Sequence, residues 1–153
     1  MILMKKLYIA YGSNMDTEQM AYRCPDAKPL GVCLLRDWRL MFKGSLTGAY
    51  ATIEKEKGFR VPALLWEISE ADEKRLDRYE GFPNFYYKAN AAVLLPNKST
   101  VEGMAYIMRE ERNLGAPSHE YLDLLARAYE KFNFEPRILE EAYKYSLANE
   151  KFL

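Results

Sequence analysis

The chain has one histidine, His119, and two cysteines, Cys24 and Cys33. Zinc sites draw several ligands from Cys, His and carboxylates, and the sequence contains neither a CxxC pair nor an HExxH helix. It has no EF-hand loop, which leaves only an all-carboxylate metal site open; no metal is expected. A Ser-His-Asp triad would have to recruit His119, and no GxSxG elbow accompanies it. The phosphate cradles GxxxxGKS/T and GxGxxG are also missing. Charge of one sign is lacking, with 22 Lys+Arg against 22 Asp+Glu. Nucleic-acid affinity rests on phosphate contacts, so no nucleic-acid partner is expected. No apolar run approaches the ~18 residues of a membrane span, and no repeat or low-complexity tract occurs. What remains is chemistry run by carboxylates, tyrosines and backbone amides.

The 153 residues are 49% hydrophobic, which suits one domain over 1–153 with a real core. Met1 to Met4 precede Lys5 and Lys6, the reverse order of a secretory signal. Two cysteines in such a chain read as reduced thiols in the cytoplasm. Cys24 and Cys33 are expected as small buried hydrophobes. Balanced charge with many aromatics fits a monomer or a homodimer.

Strand signals dominate the first half. Leu7, Ile9 and Tyr11 alternate with Tyr8 and Ala10 until Gly12-Ser13-Asn14 breaks the run. Asp16, with Gln19 three residues on, caps a short helix over Thr17 to about Arg23. Short β-rich runs follow at Val32–Leu35, Arg39–Phe42, Ala51–Ile53 and Val61–Ile68, with Pro62 arguing for an edge or a bulge. Ser69 caps a second helix, with Leu76 and Tyr79 as its apolar face and Gly81 as its stop. Asp72, Glu73 and Asp77 read as its solvated side. Tyr86–Leu95 and Thr100–Met108 form a hairpin around Pro96-Asn97-Lys98. Beyond Pro117, Ser118 caps a helix with Tyr121, Leu122, Leu125, Ala128, Tyr129 and Phe132 at helical spacing. Pro136 starts another. Strands followed by helices imply an α+β fold: a small, mixed, curled or barrel-like sheet with flanking helices and a helical C-terminal segment.

Two places can carry chemistry. Tyr11-Gly12-Ser13-Asn14 leaves a strand and precedes a capped helix. Such a turn can aim successive amides at an anion, with the helix dipole adding to the effect; it equally reads as a plain link. Glu80 ends the second helix, where the dipole favours Lys or Arg. Flanked by Tyr79, Phe82 and Phe85, it is either an exposed glutamate or a buried carboxylate with the raised pKa of a general base. Twelve tyrosines are many for this length; most belong to the core, while Tyr106 and Tyr121 can point into a pocket. His119, in a first helical turn, reads as surface.

Taken in order, Tyr8-Ile9-Ala10-Tyr11-Gly12-Ser13-Asn14-Met15, Gly48-Ala49-Tyr50-Ala51-Thr52-Ile53, Leu65 to Asp72 and above all Leu76-Asp77-Arg78-Tyr79-Glu80-Gly81 resemble the γ-glutamylcyclotransferase-like, AIG2-like family. Pro117-Ser118 followed by Tyr121 and a helical tail resembles its longer branch. The resemblance spans nearly the whole chain. It implies a barrel-like α/β fold with one cleft, Glu80 at the catalytic position, Tyr11, Gly12, Ser13 and Asn14 as the substrate loop, and Tyr121 lining the cleft. Ala63 departs from a glycine common in the family, which bears on the geometry of that strand.

The implied reaction is cofactor-free. The α-amine of a γ-glutamyl amide attacks its own γ-carbonyl, giving 5-oxoproline and a free amine or amino acid. One glutamate moves the protons. The competing class is a non-catalytic binding or adaptor protein that keeps the pocket, because fold alone does not settle function.

Overall fold

The computed structural model describes residues 5–148; Met1 to Met4 lie outside them. The elements run β1 Lys5–Ala10, a 3₁₀ turn Ser13–Met15, α1 Thr17–Arg23, β2 Lys28–Lys43, β3 Tyr50–Ser69, α2 Glu70–Glu80, β4 Tyr86–Leu94, β5 Thr100–Met108, α3 His119–Lys131 and α4 Pro136–Ala148. The sheet closes into a barrel in the order β1-β3-β2-β4-β5. Closure comes from a parallel pairing of Tyr8 with Met104 and an antiparallel pairing of Leu34 with Leu94. The α+β expectation with a curled, barrel-like sheet holds, and the sheet is fully closed.

The four short runs of the first half are two long strands. β2 and β3 pair from Lys28–Glu67 to Lys43–Tyr50, with register shifts between Pro29 and Gly31 and between Arg36 and Trp38. The second shift sits at Asp37, which takes positive φ (65°) and accepts the Gly58 amide through its carboxylate at 2.9 Å. A bulge bends a strand without ending it, so polar residues that look like loops lie inside strands. Pro62 faces Leu34, just beyond the last β1 pair, Ala10 with Leu64. There the missing amide costs no ladder bond to β1. Ala63 is fully buried and pairs with Cys33 in regular register.

The barrel interior and the layer beneath the helices form one core that includes Ile9, Leu35, Phe42, Ile53, Leu64, Ile68, Met108 and Leu125. Both cysteines are buried within it. Helix ends follow their local chemistry. Asp16 accepts the amides of Glu18 and Gln19. Ser69 and Asp72 form a reciprocal capping box. Ser118 accepts the Tyr121 amide at 3.1 Å. Gly81 stops α2 in the left-handed conformation, φ 66°, and the Phe82 amide returns to the Asp77 carbonyl at 2.9 Å.

Asp72, expected on the solvated side of α2, is 0% exposed. Its carboxylate accepts the Ser69 amide at 3.2 Å and the Asp26 amide at 3.4 Å and pairs with Arg75 at 3.2 Å. It fastens the segment after α1 to the start of α2. Glu73 and Asp77 are only partly solvated. Lys88 bridges them at 2.7 and 2.9 Å, and Asp77 accepts the Tyr106 hydroxyl at 2.6 Å. Tyr79, expected on the apolar face, is 52% exposed, with the Arg23 guanidinium 3.6 Å over its ring.

Candidate active site

β1 delivers Tyr8 and ends at Ala10, and the chain then turns at Tyr11 and Gly12. The turn is a short 3₁₀ segment that closes with Met15 N to Gly12 O and Asp16 N to Ser13 O, each at 3.0 Å. The loop therefore does not open α1, whose N-terminus is capped by Asp16; the expected helix-dipole contribution is absent. No acceptor among the described residues takes the amides of Gly12, Ser13 or Asn14. The Asn14 carbonyl accepts the Trp66 indole N–H at 3.1 Å, which pins the turn to β3. The Asn14 side chain is buried and occupied, donating to the Tyr8 hydroxyl at 2.9 Å and accepting from Arg23 at 2.6 Å. Its available contribution is its backbone amide.

Two adjoining chambers, an inner and an outer one, lie beside this loop. The inner one, about 30 Å³, is lined by Tyr8, Tyr11, the Gly12–Asn14 loop, Glu80 and further tyrosines. The outer one, about 330 Å³, shares Ser13, Glu80, Tyr86 and Tyr121 with it and adds Gln19, Arg23 and Tyr50. Every candidate site residue of the sequence reading thus lies on one of two adjoining cavities. They are not the largest hollow: a more apolar groove of about 630 Å³ runs between α3 and α4.

Glu80 reaches the chambers from the last position of α2. Burial among protein groups pushes its carboxyl up to about 7, with Arg23 pulling the other way. The neighbours responsible differ from the expected set. Tyr79 and Phe85 border the outer chamber, whereas Phe82 is 37% exposed and lies under the Lys88 ammonium. The inner wall is Tyr8, Tyr11, Tyr86, Tyr106 and Tyr121. Burial raises the pKa of each of these phenols, so they stay neutral at physiological pH.

These hydroxyls divide into two groups. Tyr11 donates to the Tyr106 carbonyl, Tyr86 to the Ala51 carbonyl at 2.8 Å, and Tyr106 to Asp77. Tyr8 and Tyr121 accept instead, from Asn14 and from the Ala51 amide at 3.1 Å. Their own protons have no partner among the described residues, so both can donate to a ligand oxygen. Sequence reasoning missed Tyr8, Tyr86 and Arg23 and left Tyr106 open. The hairpin register held a usable signal: Tyr86 faces Met108 and Tyr106 faces Lys88, which puts the two tyrosines on one face, two residues apart. Tyr8 gave no such signal, because strand alternation relative to Tyr11 lapses where β1 ends.

Among the described residues no three His, Cys, Asp or Glu side chains converge to hold a metal ion, and no helix is long and apolar enough to cross a membrane. The arrangement supplies a half-buried carboxylate raised by desolvation, free amides on the same chamber, and neutral phenols around both.

A family model described as gamma-glutamyl cyclotransferase, AIG2-like, matches residues 8–125. The chain is 30% identical over 127 residues to gamma-glutamylcyclotransferase of Homo sapiens, covering 78% of this chain and 67% of that protein. It is 30% identical over 156 residues to the Mus musculus protein of the same name, covering 94% and 80%. A solved structure titled gamma-glutamyl cyclotransferase superimposes with TM-score 0.82 over 91% of this chain and 86% of that one, at 24% identity, a likeness of fold.

Proposed function

We propose, for a chain that belongs to the gamma-glutamyl cyclotransferase, AIG2-like family and is an enzyme of it, that it converts a γ-glutamyl amino acid or amine to 5-oxoproline and the released amine, with Glu80 as the single acid–base group. The observation that carries the reading is the position of Glu80, a carboxylate poised at about 7 on the same inner chamber as the loop amides.

The substrate brings its own nucleophile, so the enzyme has to fold it and move protons. The Gly12–Asn14 amides receive the substrate α-carboxylate, which sets the α-ammonium beside Glu80. Ionised Glu80 takes one proton from that ammonium. The freed amine attacks the γ-carbonyl carbon, a C–N bond forms, and the carbonyl oxygen becomes an oxyanion. Tyr8 and Tyr121, whose hydroxyl protons have no partner among the described residues, donate to it. Glu80, now protonated, passes its proton to the leaving nitrogen, and the original amide bond breaks as the oxyanion collapses. The ring nitrogen, which still carries two protons, gives one back to ionised Glu80, so that 5-oxoproline departs with the free amine and Glu80 releases that proton to the amine or to solvent. Holding an intramolecular nucleophile in attacking geometry can be worth about 7–11 kcal/mol, and a positioned acid–base group roughly 10²–10⁴ in rate. Neither step calls on a metal, a cofactor or an enzyme nucleophile.

The test is incubation with a panel of γ-glutamyl amino acids and γ-glutamyl amines, assayed for 5-oxoproline. Product from at least one member is expected. No product from any, with binding retained, would favour a non-catalytic binding protein.

A further inference from the structure

We infer that Arg23 is the specificity-determining residue of the outer chamber, anchoring a carboxylate on the leaving group and so favouring γ-glutamyl amino acids over γ-glutamyl amines; this rests on the function proposed above. Arg23 ends α1 half-buried and lines the outer chamber. Its guanidinium is fixed by neutral partners alone. One nitrogen donates to Asn14 Oδ1 at 2.6 Å, the other terminal nitrogen donates to the Tyr79 hydroxyl, and the Tyr79 ring lies 3.6 Å beneath.

No carboxylate among the described residues lies within ion-pair distance of it, although it lines a chamber. A guanidinium offers five N–H donors, and these contacts use only part of them. A half-buried cation without an anion is costly unless a ligand supplies it. Glu80 shares the chamber and feels the Arg23 charge, but no ion pair joins them, which leaves the carboxylate free to exchange protons.

The small chamber, about 30 Å³, has room for the carboxylate end of a γ-glutamyl group, and the larger one, about 330 Å³, for the group on the scissile nitrogen. With its α-carboxylate on the loop amides and its scissile nitrogen beside Glu80, a γ-glutamyl amide directs the group on that nitrogen through the shared wall of Ser13, Tyr86 and Tyr121 toward Arg23. An amino acid leaving group carries a carboxylate one carbon from that nitrogen, and an amine carries none. Arg and carboxylate make strong, directional pairs. A site built around such a bond rejects the analogue that lacks it, because its own polar group is left unpaired.

The decisive pair of probes is γ-glutamylalanine and γ-glutamylethylamine, which differ by that carboxylate alone. The first readout is kcat/KM for 5-oxoproline formation by wild type, Arg23→Gln and Arg23→Lys. The second is the Kd of both compounds for Glu80→Gln and for Glu80→Gln/Arg23→Gln, by calorimetry. Wild type should favour γ-glutamylalanine by roughly tenfold or more. Arg23→Gln should bring the ratio to within about threefold of unity, with Arg23→Lys in between. The Kd ratios should follow the same order. A wild-type ratio near one overturns the inference. So does a ratio that survives in Arg23→Gln while both substrates slow together, since that is the signature of a purely structural arginine. If neither compound yields 5-oxoproline, the catalytic reading fails, and the Kd ratios still decide the role of Arg23; binding of neither compound overturns both.

Discussion

Tyr121 closes over Gly12: its hydroxyl oxygen accepts the Ala51 amide at 3.1 Å and would lie 3.3 Å from a Cβ placed on residue 12. That Cβ would also come within 3.6 Å of the Ala51 side chain. The glycine is thus constrained by close approach; its φ of −121° is not left-handed. Gly12→Ala should displace Tyr121 by a few tenths of an ångström and lower kcat/KM about tenfold or more, since small misplacements at a site are costly, while stability falls by only about 1 kcal/mol.

Tyr121→Phe removes the oxygen that meets that Cβ and leaves the Ala51 amide unpaired, a loss of about 1–3 kcal/mol of stability. In the Tyr121→Phe background, Gly12→Ala should cost less activity than it does in wild type. The double-mutant cycle measures this coupling, and strict additivity would mean that the two residues act separately.

Asp72 should matter to stability more than to chemistry. Its buried carboxylate joins Ser69, Asp26 and Arg75, so Asp72→Ala removes the acceptor of three donors and unties the segment after α1 from the start of α2. A loss of about 2–4 kcal/mol is expected in denaturant unfolding. The protein that remains folded at low temperature should retain most of its kcat, because Asp72 touches neither chamber.

Glu80 links pH to both rate and stability. With its carboxyl raised to about 7 by burial, the proposed base ionises as pH rises through that value, and kcat/KM should rise with pH to a plateau above about 7. The same shift makes the folded state bind a proton more tightly than the unfolded chain, whose glutamate titrates near the ordinary 4.5. Protonation therefore stabilises the fold fully below about 4.5, and this stability is lost as pH rises through about 7. Glu80→Gln removes the cost of burying the charge. It should raise stability at pH 8 by on the order of 2–3 kcal/mol, with the gain shrinking as pH falls and vanishing below about pH 4.5. A gain that is independent of pH would contradict the raised carboxyl.

Much of this architecture is written in local chemistry. The caps Asp16, Ser69 and Ser118, the stop at Gly81 and the hairpin around Asn97 act within a few residues of themselves, and all can be read from the sequence. The long strands were obscured because Asp37 and Gly58 look like turn residues, yet they sit at a bulge that bends β2 and β3 without ending them. Asp72, Glu73 and Asp77 looked like solvated helix surface because their partners, Asp26 and Lys88, come from distant segments.

At the site, Glu80 and the Gly12–Asn14 loop stood out through a carboxylate at the wrong end of a helix dipole and a glycine break after a strand. Tyr8, Tyr86 and Arg23 did not. A tyrosine on a strand and an arginine at a helix end are ordinary in sequence, and only closure of the barrel brings them to the same chambers.

The proposed reaction stands or falls on Glu80 as the proton carrier. Glu80→Gln keeps the size of the side chain and most of its hydrogen bonding but cannot accept a proton. The measurement is the rate of 5-oxoproline formation by Glu80→Gln and wild type on the best γ-glutamyl substrate, with Kd for that substrate measured alongside. The expected result is a fall in turnover of at least about 100-fold, the low end for acid–base catalysis, with Kd changed by less than about threefold. Turnover near the wild-type rate would contradict the account and remove Glu80 from the mechanism.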